Sequence, residues 1–213
     1  MTDLIELLKG NPYPGRGIAV GHNRVYYFIM GRSENSRNRV FELTGDGIRT
    51  KAYDESKLSD PSLIIYHPVR KSELGLIVTN GDQTDTIRDM GCWRKALMTR
   101  EFEPDGPNWT PRISALLRDD GSFELSILKR QDESGRCLRE FFSYPGCDEG
   151  KGYFLSTYQG DGSPLPSFAG EPIEVTMPEP EAVWNALNAD NKVSLYANVN
   201  GKVKLFNKHF TGD

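Results

Sequence analysis

Four arginines set the first question of this chain. Arg16 lies in Asn11-Pro-Tyr-Pro-Gly-Arg-Gly17, and Arg32, Arg37 and Arg39 lie in Gly31-Arg-Ser-Glu-Asn-Ser-Arg-Asn-Arg39. Arginine offers a planar fork of donors that meets a phosphate or carboxylate at two points, whereas lysine is a point charge, and neither segment contains lysine. The whole chain carries 26 Lys+Arg against 30 Asp+Glu, for a net charge of -4, so an anion has to be held locally by geometry. Ser33, beside Arg32, adds a hydroxyl to the same loop. The competing reading is a solvated loop whose arginines pair with Glu34 and Glu42.

Three further segments place polar, reactive residue types at strand ends or loops, where sites sit on a rigid scaffold. They are Ile65-Tyr66-His67-Pro68, Thr79-Asn80-Gly81-Asp82-Gln83-Thr84, and the run from Glu101 through Glu103 to Thr110-Pro-Arg112-Ile. Other chemistries lack their signatures. Gly15-Arg-Gly17 is followed by Gly21 at the wrong spacing for a dinucleotide or P-loop motif, and no Gly-x-Ser-x-Gly is present. Cys92, Cys137 and Cys147 form no Cys-x-x-Cys pair, and His22, His67 and His209 lack ligand spacing, so no metal is expected.

The elements that must carry these residues read as mostly antiparallel strands in blocks. Asp3 to Lys9 has the apolar spacing of a short amphipathic helix, a packing appendage within a 14-residue N-terminal extension. Gly17–Gly21 and Arg24–Met30 flank the turn His22-Asn23 as a hairpin, which puts the arginine loop at a strand end. Arg39–Thr44 with Ile48–Tyr53 predicts a second hairpin, and Ser62–His67 with Leu74–Thr79 a third. On an extended segment Arg37 and Arg39 would share one side. The stripe Ile87, Met90, Arg94 and Leu97 predicts one helix from about Asp85, as N-cap, to about Arg100. Strands follow at Arg112–Arg118, Ser122–Arg130, Cys137–Tyr144 and Lys151–Tyr158, then a helix over Glu179–Asn188 and a hairpin turning at Asn200-Gly201. This pattern is α+β, two antiparallel sheets with helices outside, in one domain spanning 1–213. Hydrophobic residues are 37% and mean hydropathy is -0.54, which fits a folded, cytoplasmic protein without a membrane span. The acidic balance argues against nucleic acid as a partner.

Taken in order, Gly31-Arg-Ser-x-x-Ser-Arg-Asn-Arg39, the Tyr66 segment, Thr79-Asn-Gly-Asp82, Thr110-Pro-Arg-Ile113 and the later Thr157-Tyr158 with a downstream Pro-x-Phe resemble the motifs of the archaeal-type inosine monophosphate cyclohydrolase family. That resemblance implies a four-layer αββα sandwich like that of N-terminal nucleophile hydrolases, without their self-cleaving chemistry. It also implies closure of the purine ring of 5-formamidoimidazole-4-carboxamide ribotide to inosine monophosphate with loss of water, and no cofactor. The partner would be a purine ribonucleotide, and homo-oligomers are compatible with the family.

On this resemblance Arg32, Ser33, Arg37 and Arg39, with Arg16, would hold the 5′-phosphate. Glu103 would act as base or acid, and Tyr66 would orient or polarise the carbonyl. Arg112 would meet the oxyanion or a carboxylate, and Asn80 and Asp82 the base or ribose. Each has a plainer structural role beside it: a tethered core tyrosine, a solvated helix end, a structural ion pair, ordinary turn residues. His67, where a polar amide is expected, and Pro107-Asn-Trp109 depart from the family pattern and bear on the substrate. A noncatalytic nucleotide sensor on the same scaffold and a protein-interaction domain are the alternatives.

Overall fold

A computed structural model describes residues 1–211. In it, β1 (Arg16–Gly21), β2 (Arg24–Met30), β10 (Lys151–Ser156), β11 (Ile173–Thr176), β12 (Lys192–Val199) and β13 (Lys202–Asn207) form a six-stranded sheet in the order β11-β10-β1-β2-β12-β13. The strands β3 (Arg39–Leu43), β4 (Gly47–Ala52), β5 (Val69–Ser72), β6 (Gly75–Thr79), β7 (Arg112–Leu117), β8 (Phe123–Arg130) and β9 (Cys137–Tyr144) follow one another in a seven-stranded sheet.

Side-chain alternation makes this a stack of layers. Ile18, Val20, Tyr27 and Ile29 of one sheet pack against Phe41, Ile48, Val78, Ile113 and Ala115 of the other, forming the central core. The opposite face of the first sheet, through Ala19, Tyr26, Phe28 and Met30, packs with Leu4 and Leu8 of α1 (Leu4–Gly10) and Val183 and Trp184 of α5 (Pro180–Ala186). On the far side Ile77, Leu116 and Leu128 meet Ile87 of α3 (Gln83–Met90) and Trp93, Ala96 and Leu97 of α4 (Trp93–Met98). The result is a four-layer αββα sandwich. Strands buried on both faces explain why Arg24–Met30 reads as one unbroken apolar and aromatic run.

Several boundaries differ from the sequence reading, each for a local reason. Ser62–His67 is not a strand: the Thr50 hydroxyl accepts the Tyr66 N–H at 2.8 Å and donates to the Ile64 carbonyl at 2.7 Å, turning this segment across the end of β4. The pairing strand is Val69–Ser72, after Pro68. The helix expected from Asp85 is two helices, because Gly91 adopts φ +58 and closes α3. Asp85 is not its cap; it sits in the first turn and pairs with Arg70 at 3.0 Å. Arg37 and Arg39 do not share a side either. Ser33 caps a helical turn, α2 (Glu34–Arg37), through a reciprocal bond pair with Ser36, and this turn rotates Arg37 outward before β3 begins. The short strand β11, between Pro172 and Pro178, escaped the sequence reading. The terminal α6 (Lys208–Thr211) follows β13 directly.

Thr50→Val keeps the shape of the side chain and removes its hydroxyl. It should lower unfolding free energy by roughly 1–3 kcal/mol in urea denaturation, because it strands a buried Tyr66 N–H and the Ile64 carbonyl. Wild-type stability would remove Thr50 as the clamp on the Tyr66 segment.

Candidate active site at one end of the sandwich

Antiparallel pairing brings the starts of β1, β3 and β7 and the ends of β4, β6 and β10 to the same end of the two sheets. Arg39 opens β3 on the same face as Phe41, toward the space between the sheets. Its exposure is 0%. Nε donates to the Ser36 carbonyl at 2.9 Å, while Nη1 and Nη2 are buried without a hydrogen-bond partner. Burial and the nearby Arg16 charge lower its pKa, and Tyr66, Tyr27 and Tyr13 act in the other direction. A buried guanidinium with both terminal nitrogens open is built to receive an anion or a developing negative charge.

Arg16 is placed from the first sheet. Its N–H donates to the Thr157 hydroxyl at 3.1 Å, and its carbonyl accepts from the Thr157 N–H at 2.9 Å. This close approach requires Gly15: its φ is +73, and a Cβ there would lie 2.4 Å from the Thr157 hydroxyl. Although burial works against its charge, Arg16 has a raised pKa because Tyr13, Tyr66, Glu103 and Tyr27 surround it. The Tyr27 and Tyr66 hydroxyls bond at 2.8 Å, and burial and that neighbour raise the Tyr27 pKa well above its ordinary value. Tyr27 therefore stays a neutral phenol near the arginine pair, its oxygen paired with that of Tyr66.

Glu103 comes from the loop after α4. Its N–H donates to the Thr110 carbonyl at 2.8 Å, and its side chain is 4% exposed. Burial pushes its carboxyl up to about 7, Asp105 adding to the rise while Arg16, Arg112 and Arg39 oppose it. A carboxyl at that value is half-charged near neutral pH and exchanges protons in either direction. Arg112, 7% exposed, donates through Nη1 to Asp82 at 2.8 Å and to Gln83 at 2.7 Å, with its buried Nε unpartnered. Arg100 shares Asp82, and despite partial burial the two arginines hold its carboxylate pKa low. Gly81 makes room for this arrangement, since a Cβ on it would stand 2.5 Å from Arg112 Nη1 and 3.4 Å from a Glu103 carboxyl oxygen.

The structure thus gathers Arg16, Arg39, Tyr66, Glu103 and Arg112 in one neighbourhood. Asn80 lies beside it, its amide bonded within the protein: Oδ1 accepts from Ile113 and Gln83, and Nδ2 donates to the Pro111 carbonyl. Asp82 faces Arg112 and Arg100. Arg32 stands at the rim, bonded to Asp161 at 2.5 Å and stacked over Tyr13 at 4.9 Å. Arg37 turns away to the Gly31 carbonyl and Asn191, and the Ser33 hydroxyl is spent on its cap. His67 faces Asp85 at 3.6 Å, and Trp109 packs against Phe102 and under Arg130. Tyr13 and Tyr27 were missed by sequence reasoning. Tyr27 carries no signal within an apolar strand, while Tyr13 is marked only by its place between two prolines. Among the described residues no three His, Cys, Asp or Glu side chains are grouped to hold a metal, and no helix is long and apolar enough to cross a membrane.

A family model described as IMP cyclohydrolase-like protein matches residues 13–204, which takes in every member of this cluster. No curated protein matches the chain.

Arg39→Met should leave the unliganded protein as stable as wild type or more so, because it removes an uncompensated buried charge, while weakening ligand binding at this end. Thermal melts with and without nucleotide read both effects; a strongly destabilised unliganded variant would contradict it. Glu103 gives a second check. Its folded pKa lies above the unfolded value, so its stabilising contribution is complete below about 4.5 and lost as pH rises through about 7. Relative to Glu103→Gln, wild type should lose on the order of 3 kcal/mol between pH 4.5 and pH 8 in denaturant titrations. Parallel curves for the two proteins would mean Glu103 is not perturbed.

Proposed function

The chain belongs to the IMP cyclohydrolase-like family, and we propose that it closes the purine ring of the formamido ribotide to inosine monophosphate with loss of water. The observation that carries this reading is the Arg39 guanidinium, fully buried and open at both terminal nitrogens, beside a carboxyl poised near neutrality. Those two groups match the two needs of the reaction. The substrate carboxamide nitrogen forms a bond to the formyl carbon, the carbonyl electrons move onto oxygen, and the nitrogen gives up a proton. The resulting hydroxyl then leaves as water while the formamide nitrogen loses its proton and the ring C=N bond forms.

Glu103 as carboxylate takes the carboxamide proton and passes it to the formyl oxyanion, making the hydroxyl; it then takes the formamide nitrogen's proton and gives it to that hydroxyl, which leaves as water. The pKa near 7 allows both halves of that exchange. Arg39, with Arg16 and the Tyr66 hydroxyl, receives the charge on the formyl oxygen from donors already in place, so little reorganisation accompanies the step. Arg112, braced by Asp82 and Gln83, steadies Glu103 electrostatically. Enclosure between two sheets holds the reacting groups of one molecule against each other, which is the largest part of such a ring closure.

The phosphate belongs on this reading to the rim, where Arg32 lies over Tyr13 and is exposed enough to exchange Asp161 for a ligand. Arg39 moves from the phosphate to the reacting end because it is buried near enough to Tyr66 for the two to act on each other electrostatically, and Arg37 and Ser33 hold the loop.

Conversion of the formamido ribotide, followed by absorbance, tests the reading. Wild type should form inosine monophosphate, and Glu103→Gln should lower kcat by about 10²–10⁴-fold with little change in KM. In wild type kcat/KM should rise with pH through about 7, as the base form appears, and this limb should vanish in the variant. Arg39→Ala should lose far more kcat than Arg37→Ala. Full turnover by Glu103→Gln would take Glu103 out of the mechanism, and inosine monophosphate binding without turnover in wild type would make the chain a nucleotide sensor.

A further inference from the structure

Beside Glu103 runs a chain of three polar side chains whose proton directions are fixed by their chemistry. Asp105 accepts from the Thr110 N–H at 2.6 Å through Oδ1 and from the Thr110 hydroxyl through Oδ2. The Thr110 oxygen lies 2.5 Å from the Tyr158 hydroxyl. A carboxylate has no proton to give, so the single Thr110 proton must point at Asp105. The Thr110 oxygen can then only accept, and the proton in its bond with Tyr158 must be the phenol's. Tyr158 has one proton, and it is committed.

The ring cannot turn to change this. Tyr158 is 2% exposed, stacked on Tyr13 at 6.0 Å and backed by Gly15, where a Cβ would lie 2.6 Å from its edge. Arg16 is near enough for its charge to act on the phenol, which burial keeps protonated, yet no hydrogen bond joins them. What remains on the Tyr158 oxygen is acceptor capacity on the side of Arg16.

We propose that Tyr158, oriented by Thr110 and Asp105, is a specificity-determining residue whose phenol oxygen accepts a hydrogen bond from an uncharged N–H or O–H donor on the bound nucleotide. This rests on the nucleotide reading above and adds a contact that reads donor against acceptor. A ligand presenting an acceptor at that point meets two lone pairs face to face, and one lacking the donor leaves a buried acceptor unpaired. Thr110 and Asp105 are positioning residues, since they act by fixing the phenol proton.

Calorimetric titration of the full chain with inosine monophosphate, its 2′-deoxy analogue and its N1-methyl analogue tests the proposal. Tyr158→Phe and Thr110→Val should each weaken the parent nucleotide about tenfold. Their double variant should lose no more than one of them alone, because both remove the same oriented acceptor. The analogue that lacks the donor should bind wild type and Tyr158→Phe alike, identifying the ribose hydroxyl or the ring N–H as the partner. Thr110→Ser, which keeps the hydroxyl, should restore wild-type affinity and separates orientation from packing. Wild-type affinity of Tyr158→Phe for all three ligands, or an equal loss on all three, would overturn the proposal while leaving nucleotide binding intact. Failure of wild type to bind any of them would overturn the nucleotide reading and this proposal with it.

Discussion

Keeping a guanidinium in the interior of a sandwich is costly, and the fold around Arg39 is organised by that fact. Its one hydrogen bond goes to the Ser36 carbonyl, and a second arginine, Arg16, faces the same space. A buried charge short of partners, with a like charge beside it, costs several kcal/mol. The large apolar area between the sheets and under both helix pairs absorbs that cost. Strain of this kind persists where a ligand relieves it. The same enclosure raises the Glu103 carboxyl, so a single low-dielectric space both exposes arginine donors and sets a proton exchanger near neutral pH.

Every group in that space is held from behind by something outside it. Thr50 clamps the backbone on both sides of Ile65 and so fixes Tyr66, and Thr157 brackets Arg16. Phe41 stacks on Tyr27 at 5.7 Å, and the Asn207 side chain pairs with both the N–H and the carbonyl of Phe41, tying the edge of one sheet to the edge of the other. Asp82 and Gln83 brace Arg112, and Thr110 anchors Glu103. The braces are hydroxyls, side-chain amides, a carboxylate and a backbone carbonyl, groups that specify distance and direction in a dry setting more tightly than apolar packing does.

Which parts were legible in the sequence follows from how local their causes are. The hairpins at His22-Asn23 and Asn200-Gly201 were readable because the turn residues adopt positive φ, at Asn23, Asn200 and Gly201. Glu103, Tyr66, Arg16, Arg39 and Arg112 stood out as residue types beside strand ends and through their ordered motifs. Their mutual placement did not, because it depends on two sheets meeting. The reading failed where a side chain redirects the backbone, Thr50 on the Tyr66 segment and Ser33 on the Arg37 turn, and where a glycine at positive φ breaks a helix, Gly91 between α3 and α4. Nothing in Thr-Asn-Gly-Asp reveals that the Asn80 amide bonds to Ile113, Gln83 and Pro111.

In the proposed ring closure Arg39 would serve the reacting end and Arg32 the phosphate. A crystal structure of the chain with inosine monophosphate bound decides this directly. The account predicts the Arg39 terminal nitrogens within hydrogen-bond distance of the purine base, beside Glu103 and Tyr66, and the phosphate at the rim with Arg32. A phosphate seated on Arg39 and Arg16, with the base remote from Glu103, would contradict it.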